Sequence, residues 1–87
     1  MALTSVEFEN IAQLTKLSRK DIGMTQLELS EKLGYSNGQF VSNLERGVCG
    51  LPRKKMKVYC KALKVKRVDM VRVILEDCEA RLWRDLK

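Results

Sequence analysis

Eighty-seven residues, 45% hydrophobic and 32% charged with one Pro and five Gly, suffice for one packed core and exclude a two-domain enzyme. The chain has no His, which removes imidazole acid–base chemistry and His-containing zinc sites, and Cys49, Cys60 and Cys78 lie too far apart for a thiolate clip, so neither catalysis nor a metal or cofactor is expected. An odd cysteine count without a leader, and no run of 18 apolar residues, predict a soluble cytoplasmic protein with free thiols.

Helical periodicity recurs from end to end and no stretch alternates like a half-buried strand, so the expected class is all-α with five helices. The first is expected at about 5–20, opened by a capping box of Thr4 with Glu7 and buried through Phe8, Ile11, Ala12, Leu14 and Leu17. It stops near Asp21-Ile22-Gly23. The second, about 25–33, opens at a box of Thr25 with Glu28 and ends at Gly34. The third is expected from Ser36 or Asn37 to Arg46, with Ser36 and Gln39 as its box, Val41 and Leu44 on its inner face, and Gly47 as a left-handed stop. Pro52 then opens a fourth helix, because its missing N–H and fixed φ suit a first turn, and Met56, Tyr59, Cys60 and Leu63 face inward. A fifth helix takes about 67–86 with a weak N-cap. The chain therefore divides into a unit at 1–66 and a C-terminal helix at 67–87 of the same domain.

The formal net charge of +6 is concentrated rather than spread. Residues 46–67 hold nine Lys and Arg (Arg46, Arg53, Lys54, Lys55, Lys57, Lys61, Lys64, Lys66, Arg67) and no acid, whereas both flanks are mildly acidic. Such a block is either a solvated helix face or a surface for a polyanion. Aromatics make up only 6%, too few for stacking on unpaired bases, which favours a duplex over a single strand.

Two short helices joined by a tight Gly-containing turn, the second closing on Glu-Arg-Gly, describe a helix-turn-helix. The run Met24-Thr25-Gln26-Leu27-Glu28-Leu29-Ser30-Glu31-Lys32-Leu33-Gly34, followed by Val41-Ser42-Asn43-Leu44-Glu45-Arg46-Gly47, resembles the Cro/repressor (XRE) family of helix-turn-helix DNA-binding regulators over residues 8–65. The interval from Gly34 to Glu45 is one residue longer than that family's common form, with Tyr35-Ser36-Asn37-Gly38 holding the surplus. The resemblance implies that Gln26 meets a phosphate, that the small Ser30 lets the two helices approach, and that Glu45 and Gly47 close the recognition helix. Aligned back from Glu45, the base-reading positions fall on Gly38, Gln39, Ser42 and Asn43, with Asn37 beside them. Gln39 and Asn43 are the leading candidates, since an amide can donate to and accept from adenine at once and a spacing of four puts both on one face. Asn37 and Gly38 either serve the turn or make contacts, Phe40 reads as core rather than base-reading, and Ser42 either reads a base or fills space. Arg46, Arg53, Lys54 and Lys55 fall where the family follows the DNA backbone, whereas Lys61, Lys64 and Lys66 read as surface charge.

In the tail, Val68, Val71, Leu75, Cys78 and Leu82 follow the alternating three and four spacing of a coiled-coil seam, and Ile74, Trp83 and Leu86 widen it into a second stripe. One stripe can pack on its own domain and the other lacks a partner. Val71, Leu75, Cys78, Leu82, Trp83 and Leu86 are therefore the expected homodimer contact, the alternative being a helix folded wholly back on the core. Together these features predict a dimeric, sequence-specific double-stranded DNA-binding regulator of transcription, a repressor at a palindromic operator, without catalysis. The alternatives are the antitoxin of a toxin–antitoxin pair, or an interaction adaptor, with a protein partner on the C-terminal helix.

Overall fold

The computed structural model describes residues 7–86 and is all-α: among these residues there are five α-helices and no strand. They are α1 Glu9–Asp21, α2 Gln26–Lys32, α3 Gln39–Glu45, α4 Met56–Leu63, preceded by a 3-10 turn at Arg53–Lys55, and α5 Arg67–Asp85. None is long and apolar enough to cross a membrane.

The core is assembled from every helix. Ile11 of α1, Leu29 of α2, Val41 and Leu44 of α3, Tyr59, Cys60 and Leu63 of α4, and Met70 of α5 are buried together with Leu33 and Leu51. On α4 the expected inward set holds, with Tyr59, Cys60 and Leu63 buried and Met56 packed at their edge. On α1 it holds only in part: Ile11 and Ala12 are buried, Leu14 is partly covered, but Leu17 is 61% exposed. It lines an open cleft with Gln13, Lys16 and the end of α3 at Glu45 and Arg46, and no apolar side chain closes over it.

The polar group that α1 does bury is Thr15, whose hydroxyl donates to the Ile11 carbonyl at 2.7 Å and lies 2.7 Å from the Tyr59 hydroxyl. A threonine hydroxyl has one hydrogen, so Tyr59 is the donor to Thr15. Burial pushes the Tyr59 pKa up, which keeps that donor protonated.

Helix starts follow the sequence at α2 and depart from it elsewhere. At α2 the Thr25–Glu28 capping box is formed in both directions, at 3.0 and 2.8 Å. Thr4 lies outside the described residues, and α1 begins at Glu9 rather than near residue 5. Its Phe8 N-cap supplies no side-chain acceptor, and the first-turn amides of Asn10 and Ile11 instead donate to the Asp77 carboxylate of α5, at 2.9 and 3.0 Å. The third helix starts at Gln39, not at Ser36 or Asn37, because the Asn37 side-chain Oδ1 accepts the Gln39 backbone amide at 2.9 Å. Ser30, fully buried between α2 and α3, accepts the Val41 amide at 3.4 Å, so α3 too is capped from a neighbour. Pro52 precedes one 3-10 turn, and α4 follows it at Met56.

Stops agree better. Gly23, Gly34 and Gly47 all take positive φ at the ends of the first three helices, where a Cβ would be strained. Gly50 serves a different need: a Cβ there would come within 2.9 Å of the Phe8 ring, which rests on the loop after α3.

Candidate nucleic-acid interface

Helix α3 is amphipathic on a small scale. Val41, Leu44 and Glu45 are buried, while Gln39 and Arg46 are exposed and Ser42 and Asn43 half-buried. Gln39, Asn43 and Arg46 follow at intervals of four and three and so form one outward row. Their side chains are bonded to one another: Gln39 Nε2 donates to Asn43 Oδ1 at 3.0 Å, and Arg46 Nη2 donates to the same oxygen. The structure thus joins the two leading base-reading candidates and adds Arg46, which was expected on the DNA backbone. Asn37 is not part of the row. It sits in the turn, its side-chain oxygen engaged by the Gln39 amide.

The inner side of α3 is anchored by charge. Glu45, with a side chain only 2% exposed, accepts from Arg19 Nε at 2.6 Å and from Arg19 Nη2 at 3.0 Å, a bidentate pair, while Arg19 Nη1 donates to the Met24 carbonyl. Gln26 Nε2 completes the set by donating to Glu45 Oε1 at 3.0 Å. Burial by itself would raise the Glu45 pKa, and the bonds from Arg19 and Gln26 outweigh it, holding the carboxyl below its ordinary value. One amide hydrogen of Gln26, expected at a phosphate, is therefore committed inside the protein, where it ties the start of α2 to the end of α3. Sequence reasoning missed Arg19 altogether, since one Arg among the polar positions of α1 carries no distinguishing signal.

The cations after α3 separate into two kinds. Lys55 is half-buried, its Nζ 5.0 Å from the centroid of the Tyr35 ring, and Tyr35 stacks on Phe40 with centroids 4.4 Å apart and planes at 17°. Phe40 is accordingly partly buried against the core, as expected, and Lys55 braces the connection between α2 and α3. Arg53 and Lys54 in the same 3-10 turn are exposed, and among the described residues neither has an acid within ion-pair distance. Lys57, Lys61, Lys64 and Lys66 are also exposed.

Helix α5 packs on the core through a row that includes Met70, Val73, Ile74 and Asp77, Met70 lying against Cys60 of α4 and Asp77 against the start of α1, with the Arg81 guanidinium 4.5 Å from the Phe8 ring centroid. The seam residues face away. Val71, Leu75 and Leu82 are exposed, as are Val68, Trp83 and Leu86, whereas Cys78 is half-buried at the edge. The second stripe divides: Ile74 is partly buried against the core with Met70, Val73 and Asp77, whereas Trp83 and Leu86 are exposed along with the seam. A lone acid at helical spacing within an otherwise apolar row was the available signal for Asp77. Comparison with protein-family models, with curated proteins and with solved structures yields no match to this chain.

Proposed function

We propose that this chain is a sequence-specific double-stranded DNA-binding regulator of transcription, working as a homodimer with α2 and α3 as a helix-turn-helix of the Cro/repressor type. The observation that carries the reading is the outward row Gln39–Asn43–Arg46: polar, exposed at both ends and half-buried at Asn43, and mounted on a helix whose opposite side is locked by the buried Arg19–Glu45 pair. Groups that discriminate base edges need such a rigid mount. Arg53 and Lys54, exposed on the segment that follows, supply cations for the phosphates that flank a groove. The protein acts by occupancy of its site, as a repressor does.

The exposed row Val68, Val71, Leu75, Leu82 and Leu86 runs for about 27 Å along α5 at 1.5 Å per residue and is the surface for the second copy. Arg72 and Glu79 border it, so an antiparallel pairing sets each against its complement on the other copy. Two copies then present two α3 helices to a palindromic site.

The test is selection of bound duplexes from a random pool, followed by affinity measurements across a salt series. A palindromic consensus is the expected result, and Arg53→Ala with Lys54→Ala should weaken consensus and random duplexes alike while flattening the salt slope by about one unit per contact removed. Leu82→Asp should leave helicity intact and convert dimer to monomer in sedimentation, with affinity for the palindrome falling to that of a half-site. A pool that never enriches, or a Leu82→Asp protein still dimeric at micromolar concentration, refutes the respective part.

A further inference from the structure

The hydrogen bonds along α3 restrict what its outward row can recognise. A side-chain amide oxygen has two acceptor positions. In Asn43 both are taken, one by Gln39 Nε2 at 3.0 Å and one by Arg46 Nη2. The bidentate pair that an asparagine makes with adenine needs that oxygen to accept from the adenine N6 amine while the nitrogen donates to N7. Asn43 therefore presents only its Nδ2 hydrogens to a base. Arg46 has no acceptor at all and keeps four of its five N–H groups free of this network, and Gln39 retains one hydrogen and its Oε1.

The C-terminal half of the row is thus made of donors only. In the major groove, cytosine offers a donor, thymine one acceptor beside a methyl group, adenine one acceptor and one donor, and guanine two adjacent acceptors, N7 and O6. Guanine alone offers two adjacent acceptors to a surface that donates and cannot accept. We infer that Arg46 reads a guanine in each half-site, its guanidinium held in place by the Asn43 carbonyl, and that Asn43 is a positioning residue for Arg46 rather than a reader of adenine. The inference rests on the DNA-binding reading above and deepens it.

Arg46 is placed to do this. It is the C-cap residue of α3, exposed, and among the described residues has no carboxylate partner within 4 Å. The planar fork of a guanidinium fits N7 and O6 together, and orienting it before binding removes part of the rotamer entropy that a free arginine would lose on contact. A phosphate contact asks for neither the fork nor the orientation, and a lysine would serve there as well.

That difference supplies the experiment. Wild type, Arg46→Lys, Arg46→Ala and Asn43→Ala are each used to select duplexes from the same random pool. Their affinities are then measured on the wild-type consensus, on that duplex with single guanines replaced by 7-deazaguanine, and on a random duplex, with circular dichroism confirming the fold. The expected result is a guanine in the wild-type consensus whose N7 removal weakens wild-type binding by about 10- to 100-fold and leaves Arg46→Ala indifferent. Arg46→Lys, which keeps the charge but not the planar fork, should reduce the consensus preference yet hold the random duplex within about threefold. Asn43→Ala should keep the guanine with reduced preference and lose no adenine. An Arg46→Ala protein that keeps the same guanine column and still weakens on N7 removal places Arg46 away from that base and overturns the inference, as does an adenine column that vanishes in Asn43→Ala. A wild type that enriches no duplex refutes the DNA-binding reading itself, whereas a normal consensus indifferent to Arg46 refutes this inference alone.

Discussion

The two ends of α1 are each held by a buried carboxylate from another helix, and by opposite means. At the C-terminal end Glu45 of α3 meets a cation, Arg19, in a bidentate pair. At the N-terminal end Asp77 of α5 meets no cation within ion-pair distance among the described residues and accepts two backbone amides instead. The first attachment sets the helix proposed for recognition and the second sets the helix proposed for dimerisation. A carboxylate on a helix N-terminus satisfies orphan donors and complements the positive end of the helix dipole, while Glu45 depends on two side chains, Arg19 and Gln26, holding their rotamers. The α3 attachment is therefore the more fragile.

Removing each carboxylate measures that contrast. Glu45→Ala strands the Arg19 guanidinium, whose side chain is 11% exposed, and should lower unfolding free energy by about 3–5 kcal/mol in urea denaturation. Acid should act on the same point. The Glu45 pKa lies below its ordinary value in the folded protein, so the group contributes stability above the unfolded value near 4.3, and that contribution is lost as pH falls through the folded value. Below about pH 4.3 wild type should lose stability more steeply than Glu45→Gln, which is less stable at neutral pH but has nothing there to protonate. Parallel curves would show that the pair carries no pH-dependent stability.

Asp77→Ala leaves two first-turn amides without an acceptor and should cost about 1–3 kcal/mol, with hydrogen exchange accelerated first at Asn10 and Ile11. A loss as large as that of Glu45→Ala would erase the distinction between the two ends. The smallest effect is expected between them, where Tyr59→Phe deletes one donor to Thr15 and keeps the ring, at about 1 kcal/mol. It should alter neither the acid profile nor the exchange at Asn10.

Much of the local structure was legible in the sequence, and for a common reason. The capping box at Thr25, the glycines after α1, α2 and α3, and the inward face of α4 all depend on residues within four positions of one another, where spacing dictates geometry. The same locality made Gln39 and Asn43 readable as neighbours on one face. Misreadings occurred where a local signal competed with a distant partner. Ser36 and Gln39 had the spacing of a capping box, but Asn37 took the Gln39 amide and Ser30 of α2 took that of Val41. The bond from Gln26 to Glu45, nineteen positions away, had no local signal.

By itself, then, the sequence determined that the chain is helical, where its helices stop, and that its cations gather in one segment, because each follows from a residue's own φ preference, its near neighbours or simple counting. It also marked α5 as carrying more apolar surface than one side of a helix needs. Which stripe of α5 turns inward, where α1 begins, which cation is braced on Tyr35 and which three side chains of α3 share hydrogen bonds were decided only by tertiary structure. In each case the deciding partner is set by packing: a buried polar group has to find its complement wherever the fold brings one within about 3 Å, and sequence separation places no limit on that.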